Sequence, residues 1–470
     1  MIIETSGLVC YNASMKILNF VSVSLCRLSR FAIRKLGRGG TDLPGRIALK
    51  VNPNILREMS KGVKTIIVTG TNGKTTTSRM IEQCLKDSGK SYVANKSGAN
   101  LFSGITADFA QNCTLTGKCK REYAVIECDE AAFKTVSLHT DPYCVVVTNV
   151  FSDQLDRYGD ILSTLESIKI GCKNSKNAVL CLNADCSLTS SIAAEVENRC
   201  VFYGINCEVY KTRVQEISDA PNCLRCGHEY EYGHVTFGHL GSWSCPECGY
   251  RRPDPDVAVT SVLVSDTAHT SVEVNVSGET RQVNICLPGA YNIYNAAASI
   301  AVGHACGLEP SVVDAAMENF ECGFGRMEKL DIPDTDIRMI LIKNTAGCNQ
   351  VLNFLTDMTE PSLFVIGLND RVNDGRDISW IEDVNFECLA EMGDMLTGLY
   401  VTGIRADDMA ARLKKAGIED SKLKVFYEYD ELIDAIVSAD TPVNIMPNYT
   451  CMMDLRGRIA KRFNLKSFWE

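Results

Sequence analysis

The sequence predicts an α/β protein: a doubly wound parallel sheet with an inserted four-cysteine zinc ribbon, followed by a smaller, Rossmann-like α/β C-terminal domain. Three observations predict it. From Lys61 onward, short β-branched runs alternate with helical stretches. Polar residues follow those runs directly, at the carboxyl ends where open α/β sheets bind their ligands. A Cys-, Gly- and His-rich stretch, Pro221–Asp256, breaks the alternation. At 470 residues the chain exceeds one ordinary core. The expected parts are an N-terminal helix and linker over 1–60, a nucleotide-binding domain over 61–328 with the ribbon at 221–256, and a second domain over 329–470.

Composition is that of a globular protein, with 45% apolar and 23% charged residues. A net charge of −10 argues against nucleic acid as a main partner. Most of the 22 cysteines stand singly in apolar runs, such as Cys84, Cys144, Cys181 and Cys286. They read as small buried hydrophobes of a reducing compartment. No run of 18 apolar residues exists, so no membrane-spanning helix is expected and a cytoplasmic protein is.

At the N-terminus, Ile17–Cys26 is apolar and is followed by Arg27, Arg30, Arg34 and Lys35. Leu18, Val21, Leu25, Leu28 and Ala32 share one helical face. The expectation is that this face packs on its own domain. The alternative is a peripheral contact with the inner face of the cell membrane. Residues 1–14 carry no pattern, and Met15 is an alternative start. Gly37–Gly45 reads as a turn-rich linker.

The nucleotide-binding reading rests on Val68-Thr69-Gly70-Thr71-Asn72-Gly73-Lys74-Thr75-Thr76-Thr77. It follows a strand, Val63–Ile67, and precedes a helix expected over Ser78–Leu85. Strand, glycine turn and helix form a phosphate cradle, because turn N–H groups and a helix N-terminus both favour an anion. Lys74 is placed to reach the terminal phosphates, and the Thr75 hydroxyl to ligand Mg²⁺. A longer form of the loop carries Gly where Val68 stands, so this is a short variant. Glu127 ends the strand Tyr123–Cys128 beside the expected phosphate site, where a carboxylate holds or orients Mg²⁺. In Glu127-Cys128-Asp129-Glu130 some acids are expected to be structural. Further strands are read at Tyr143–Val150 and Ala178–Leu182, a β-type stretch at Val257–Leu287, and an alanine-rich helix at Tyr291–Ala305. In the second domain, strands are read at Met339–Ile342, Leu363–Ile366, Leu399–Val401 and Val443–Ile445.

Cys223-x-x-Cys226 and Cys245-x-x-Cys248 are two knuckles separated by 18 residues, a spacing that predicts a tetrahedral zinc site of four cysteines. Gly227 and Gly249 each follow the second cysteine of a knuckle. Four thiolates leave no open position, so the zinc is read as structural and His228, His234 and His239 as bystanders.

Several segments resemble the Mur ligase superfamily, whose members join amino acids in peptidoglycan and folate-tail synthesis. The short loop at Gly70 is similar to its ATP loop. Thr148-Asn149-Val150-Phe151-Ser152-Asp153-Gln154-Leu155-Asp156-Arg157-Tyr158-Gly159 resembles its T-N-x-x-x-D-H-L-D-x-x-G motif, with Gln154 in place of His. Leu182-Asn183-Ala184-Asp185 resembles its N-x-D-D turn, with Cys186 replacing the second acid. Tyr291-Asn292-Ile293-Tyr294-Asn295-Ala296-Ala297 resembles its Y-N-x-x-N-x-x-A element, which implies that Asn295 contacts nucleotide. Phe324-Gly325-Arg326-Met327-Glu328 resembles its G-R-x-E element, which implies that Arg326 lies near the ATP phosphates.

Gln154, the four-cysteine ribbon and the segment Gly367–Trp380 narrow the resemblance to the MurT branch of that superfamily, subunits of lipid II isoglutaminyl synthase. Leu368-Asn369-Asp370 and Asp374-Gly375-Arg376-Asp377-Ile378-Ser379-Trp380 resemble its L-N-D-x-x-x-D-G-x-D-x-S-W segment. Lys343-Asn344-Thr345-Ala346-Gly347 and Pro447-Asn448-Tyr449-Thr450 resemble its K-N-P-A-G and P-x-Y-T elements, with Thr345 in place of Pro. The resemblance implies that the C-terminal domain binds a partner. It also implies that Asp377 completes a Cys-His-Asp triad whose other members belong to a GatD-type glutaminase subunit. None of the 22 cysteines stands in a Gly-x-Cys-x-Gly elbow, so the nucleophile of such a glutaminase must come from another chain.

The implied reaction is ATP-dependent amidation of a D-glutamate α-carboxylate in the lipid II stem peptide, through an acyl phosphate, with ammonia from the partner. Lys74 and Asp377 are the expected catalytic residues. Gly70, Thr71, Asn72, Gly73, Lys74, Thr75, Thr76, Asn295 and Arg326 are expected to hold ATP, and Thr75 and Glu127 to hold Mg²⁺. The alternatives are an amino-acid ligase of the Mur or folylpolyglutamate type and a non-catalytic subunit that binds zinc and nucleotide.

Overall fold

The computed structural model describes residues 2–35, 42–95, 99–152, 161–209, 218–265, 269–320, 326–357 and 360–465. The first sheet is built around β1 (Lys64–Thr69), buried from Thr65 to Thr69. Strands β3 (Tyr123–Glu127) and β4 (Cys144–Val147) pair with it in parallel on either side. β2 (Tyr92–Ala94) lies outside β3, while β5 (Val179–Asn183) and β6 (Cys200–Ile205) extend the sheet beyond β4. Chain order therefore reverses at β1, and the loop after β1 opens into the crevice such a reversal creates.

The β-type stretch at 257–287 forms β9 (Val257–Ser265), β10 (Thr270–Val276) and β11 (Glu279–Ile285), an antiparallel extension of the same sheet. Ser277 and Gly278 turn the last hairpin with φ of 52° and 100°, the two positive angles a tight hairpin turn requires.

Helix α4, which follows the short α3 (Ile55–Ser60), spans Lys74–Asp87 and so begins four residues before the position expected from the sequence. Gly73, at φ 85°, closes the loop and hands the chain directly into the helix. Thr75, Thr76 and Thr77 are weak helix formers, so their pattern concealed a turn that tertiary geometry imposes.

The second sheet runs β12 (Arg326–Leu330), β13 (Ile337–Ile340), β17 (Val443–Pro447), β14 (Ser362–Gly367), β15 (Leu396–Thr402), β16 (Leu423–Phe426). All its pairings are parallel except β12 with β13. It starts at Arg326, a few residues before the expected boundary. The ribbon hairpin, β7 (Glu231–Phe237) and β8 (Leu240–Ser244), is a small sheet of its own.

Two expectations are corrected. The linker reading of Gly37–Gly45 fails at its end: Asp42–Val51 is a helix, α2, with Pro44 and Gly45 inside its first turn. Pro is tolerated there because the first N–H groups of a helix have no intrahelical partner. A Cβ on Gly45 would lie 1.7 Å from the Ser103 carbonyl oxygen, so this glycine serves close packing and not a turn. The second correction concerns the N-terminal helix, α1 (Ile2–Lys35), which already includes the segment before Met15. Leu18, Val21, Leu25, Leu28 and Ala32 do not pack on the domain; all five are exposed. The helix is seated instead through Asn19, Ser22, Val23, Cys26 and Arg30. Ser22 Oγ donates to the Ala48 carbonyl at 2.8 Å, Asn52 Nδ2 to Asn19 Oδ1 at 2.7 Å, and Arg30 pairs with buried Asp108 at 2.7 Å. These hydrogen bonds, together with the fully buried Val23 and Cys26, fix its orientation.

Candidate active site

The loop after β1 is held from below by the strand beside it. Asn149 follows β4. Its carbonyl accepts from Thr71 N at 2.9 Å, its Oδ1 accepts from Asn72 N at 2.9 Å, and its Nδ2 donates to the Asn72 carbonyl at 3.1 Å. Thr71 Oγ1 accepts from Phe151 N at 3.0 Å. A Cβ on Gly70 would lie 2.4 Å from Thr148 Oγ1, and one on Gly73 2.3 Å from Asn295 Oδ1. Both glycines have positive φ, 117° and 85°. The loop thus needs glycine twice, for backbone angle and for room, as a phosphate cradle does.

Lys74 is folded back over this loop. Its Nζ donates to the carbonyls of Gly70 and Thr71 and pairs with Glu130 Oε1 at 2.8 Å. Glu130 is the partner that sequence reasoning missed. Asp129, between them in the chain, is structural: its Oδ1 caps α6 (Glu130–Thr140) by accepting from Ala131 N and Ala132 N. Glu127 is half-buried at the end of β3, and its backbone N–H donates to Asn95 Oδ1.

A cleft opens beside the loop, between the two sheets. Asn72, Gly73, Thr76 and Asn149 form its floor, and Asn292 and Asn295 of the Ala290–Cys306 helix one side. Thr77 Oγ1 donates to Asn295 Oδ1 at 3.2 Å, tying that helix to α4. The C-terminal half supplies Met327, Ile340 and Gln350. Asn344 Nδ2 donates across to Asn72 Oδ1 at 3.3 Å, while Asn344 Oδ1 caps its own helix, Thr345–Thr356, through Gly347 N. Among the described residues, Gln350 Nε2 and Asn72 Nδ2 are buried without a hydrogen-bond partner. Buried donors of this kind carry a desolvation cost until an acceptor arrives. Gly cradle, lysine and waiting amides suit a nucleoside triphosphate.

Part of the wall comes from the ribbon. Phe237 of β7 lines the cleft beside Tyr203, Tyr291 and Tyr294 and meets the Tyr294 ring edge-on at 5.6 Å. The ribbon is therefore not a detached module. Trp243 Nε1 donates to the Ala184 carbonyl at 3.0 Å, and Arg252 Nε pairs with fully buried Asp185 at 2.6 Å. Burial pushes the Asp185 carboxyl up, and Arg252 and the Tyr294 hydroxyl, which donates to it at 2.5 Å, oppose that. Aromatic side chains scattered over three segments give no motif, so sequence reading could not assemble this wall.

At the ribbon tip the thiols of Cys223, Cys226, Cys245 and Cys248 lie within 4.8 Å of one another. Gly227 and Gly249 have φ of 78° and 70°, as the knuckle turns need. The cluster packs on Trp243 and Tyr230. This donor set fits a tetrahedral zinc ion.

The sheet edge after β14 holds the Asp377 loop. Buried Asp374 accepts from Thr450 N at 2.7 Å, and Asn448 Nδ2 donates to the Asn369 carbonyl at 2.6 Å. Asp377 itself stands exposed outside the cleft, with Oδ1 accepting from Ser379 N at 2.8 Å. That N–H holds its carboxyl below the usual carboxylate range. Val372, on the same loop, is 66% exposed, and Ile404 57%. The structure thus brings together the loop, Lys74, Thr75, Thr76 and Asn295, and keeps Asp377 and the cysteines apart from them. Residues 153–160, which include Gln154, and 321–325 lie outside the described residues, as does the Arg326 side chain.

Two family models match: the Mur ligase middle domain over residues 68–243 and the MurT ligase C-terminal domain over 341–452. The MurT subunit of lipid II isoglutaminyl synthase (glutamine-hydrolyzing) from Streptococcus pneumoniae is 31% identical over 93% of this chain and 96% of its own. Its counterpart from Staphylococcus aureus is 32% identical over 94% and 98%. This chain belongs to the MurT family. Among solved structures, a pseudomurein peptide ligase type C from Methanothermus fervidus superposes with a TM-score of 0.63, over 85% of this chain and 79% of that one, at 21% identity. MurF ligase from Thermotoga maritima, in complex with ADP, gives 0.61 over 89% and 84% at 15% identity. These likenesses establish a Mur ligase fold, and the family is one of ligases.

Proposed function

We propose that this chain is the synthetase subunit that amidates the D-glutamate α-carboxylate of the lipid II stem peptide to D-isoglutamine, in peptidoglycan synthesis. The observation that carries the reading is its likeness to the two MurT subunits over nearly the whole chain, which embraces both the phosphate loop and the Asp377 segment. In the reaction a carboxylate oxygen attacks the γ-phosphorus of ATP, and ADP leaves. Ammonia nitrogen then attacks the acyl carbon, phosphate leaves with the C–O electron pair, and the nitrogen sheds a proton.

Lys74 and Arg326 supply positive charge to the phosphoryl group in transit, so that catalysis is positioning and electrostatics. For Lys74 this requires leaving Glu130. Asn295, with Gly70, Thr71, Asn72, Gly73 and Thr76, holds the nucleotide. Thr75 and Glu127 are the residues to hold Mg²⁺, which would neutralise phosphate charge. Cys223, Cys226, Cys245 and Cys248 hold a structural zinc.

Ammonia must arrive unprotonated to be a nucleophile, so a GatD-like glutaminase partner, bound as a heterodimer, is its source. An exposed, ionised Asp377 flanked by exposed Val372 suits a residue that orients a histidine across an interface. The complex works in the cytoplasm.

Asp377→Asn, assayed with the co-purified glutaminase chain, should lose glutamine-driven amidation and keep ammonia-driven amidation. Lys74→Ala should lose both. If Asp377→Asn loses both together, its role across the interface is wrong.

A further inference from the structure

Helix α1 is amphipathic in the reverse sense to a core helix. Its inward face carries Asn19, Ser22 and Arg30 beside Val23 and Cys26. Its outward face carries Ile17, Leu18, Phe20, Val21, Leu25, Leu28 and Phe31, between 36% and 66% exposed. With about 100° per residue, those seven side chains fill an arc of roughly 160° along some 20 Å of helix. Only Ser24 and Lys35 interrupt it. An exposed apolar patch of this size marks a surface that is covered when the protein works.

We propose that this outer face of α1 docks on an anionic lipid bilayer. Three features favour a bilayer over a protein partner. The face is a single helical ridge whose seven apolar side chains stand exposed, as a fluid layer accepts them. Among the described side chains of α1 and α2, the exposed charges are Lys16, Lys35, Arg46 and Lys50, all basic, and the half-buried Asp42 pairs with Arg46 at 2.6 Å, in a chain whose net charge is −10. Apolar face plus basic margin is the composition of interfacial helices. The third feature is orientation. Asn19 bonds to Thr116, Arg27 to Ala110 and Arg30 to Asp108, so α1 runs antiparallel to α5 (Phe102–Asn112). Its Phe31 end therefore lies toward the start of α5, next to Asn100, whose carbonyl accepts from Asp129 N beside Glu130 and Lys74. A bilayer under α1 would hold a lipid-linked substrate near the phosphate loop, and this third point rests on the function proposed above.

The test is co-sedimentation of the full chain with vesicles of phosphatidylcholine alone or mixed with phosphatidylglycerol. The expected result is salt-sensitive binding to the anionic vesicles, weakened about tenfold or more in the Leu28→Glu/Phe31→Glu variant. Ile17→Glu, at the other end of the ridge, should weaken it independently. Affinity for an ATP analogue should be unchanged in all variants, which verifies folding. No binding to anionic vesicles, or equal binding by the variants, overturns the proposal. So does a dimer, or a complex with a glutaminase chain, that the variants abolish while vesicles bind neither form. Vesicle binding is read without turnover, so an enzyme with another substrate would still show it.

Discussion

Gly73→Ala isolates what the phosphate loop demands of its backbone. Gly73 sits at φ 85°, and a Cβ there would fall 2.3 Å from Asn295 Oδ1. Gly62, just before β1, has nearly the same angle, φ 77°, but a Cβ on it would meet nothing within 4 Å. The two substitutions therefore share one term and differ in the other. Left-handed backbone costs an alanine about 1–2 kcal/mol, so Gly62→Ala should lose about that much stability and bind nucleotide normally. In Gly73→Ala the clash is with a side chain, which can swing away. Asn295 would then give up its bond from Thr77 and its place in the cleft. One lost hydrogen bond is about 1 kcal/mol, for a total near 2–3 kcal/mol of stability. Because the displaced group lines the nucleotide cleft, affinity should fall as well, by about tenfold or more for a lost contact of this strength. Urea unfolding and titration of a fluorescent ATP analogue read the two quantities. If Gly73→Ala binds the analogue as Gly62→Ala does, Asn295 is not a nucleotide contact and the loop geometry has been misassigned.

Other perturbations test the surroundings. Arg252→Met leaves the Asp185 carboxylate buried without its cation, which should cost about 3 kcal/mol or more in urea unfolding. It should also weaken nucleotide binding through Tyr294. Chelation of the zinc proposed for the ribbon should shift the fluorescence of Trp243, buried against Cys223 and Cys245, and weaken the ATP analogue through Phe237; unaltered binding would detach the ribbon from the cleft. Glu82 is pushed up to about 7, by burial first and by Glu127 second, against Arg79. Its folded form holds a proton more tightly than its unfolded form, so the cost of ionising it grows as pH rises from about 4.5 through about 7. Glu82→Gln should therefore stabilise by up to about 3 kcal/mol at about pH 8, and by little near the lower end of that window. A uniform gain across pH would exclude the ionisation.

The sequence made the phosphate loop legible because glycine, lysine and threonine at fixed spacing can do little else between a strand and a helix. The two Cys-x-x-Cys knuckles were legible for the same reason: local geometry is written in adjacent residues. The cleft wall was not. Tyr203, Phe237, Tyr294 and Gln350 meet only through the fold, and each reads alone as an ordinary core residue. Glu130 was visible as one acid among three, but only packing reveals that it, and not Asp129, faces Lys74. Helix α1 misled in a more instructive way. Its apolar face was read correctly and assigned to the wrong side, since periodicity identifies a face and says nothing about what covers it. The hydrogen bonds of Ser22, Asn19 and Arg30 decided the matter.

The central claim is that the chain makes an amide from ammonia and a carboxylate. Its most direct test is mass analysis of a stem peptide bearing D-glutamate after incubation with the purified chain, ATP, Mg²⁺ and an ammonium salt. The account predicts ADP release matched one for one by a product in which an amino group has replaced one carboxyl hydroxyl. A product enlarged by a whole amino acid, or ADP with an unaltered peptide, would contradict it.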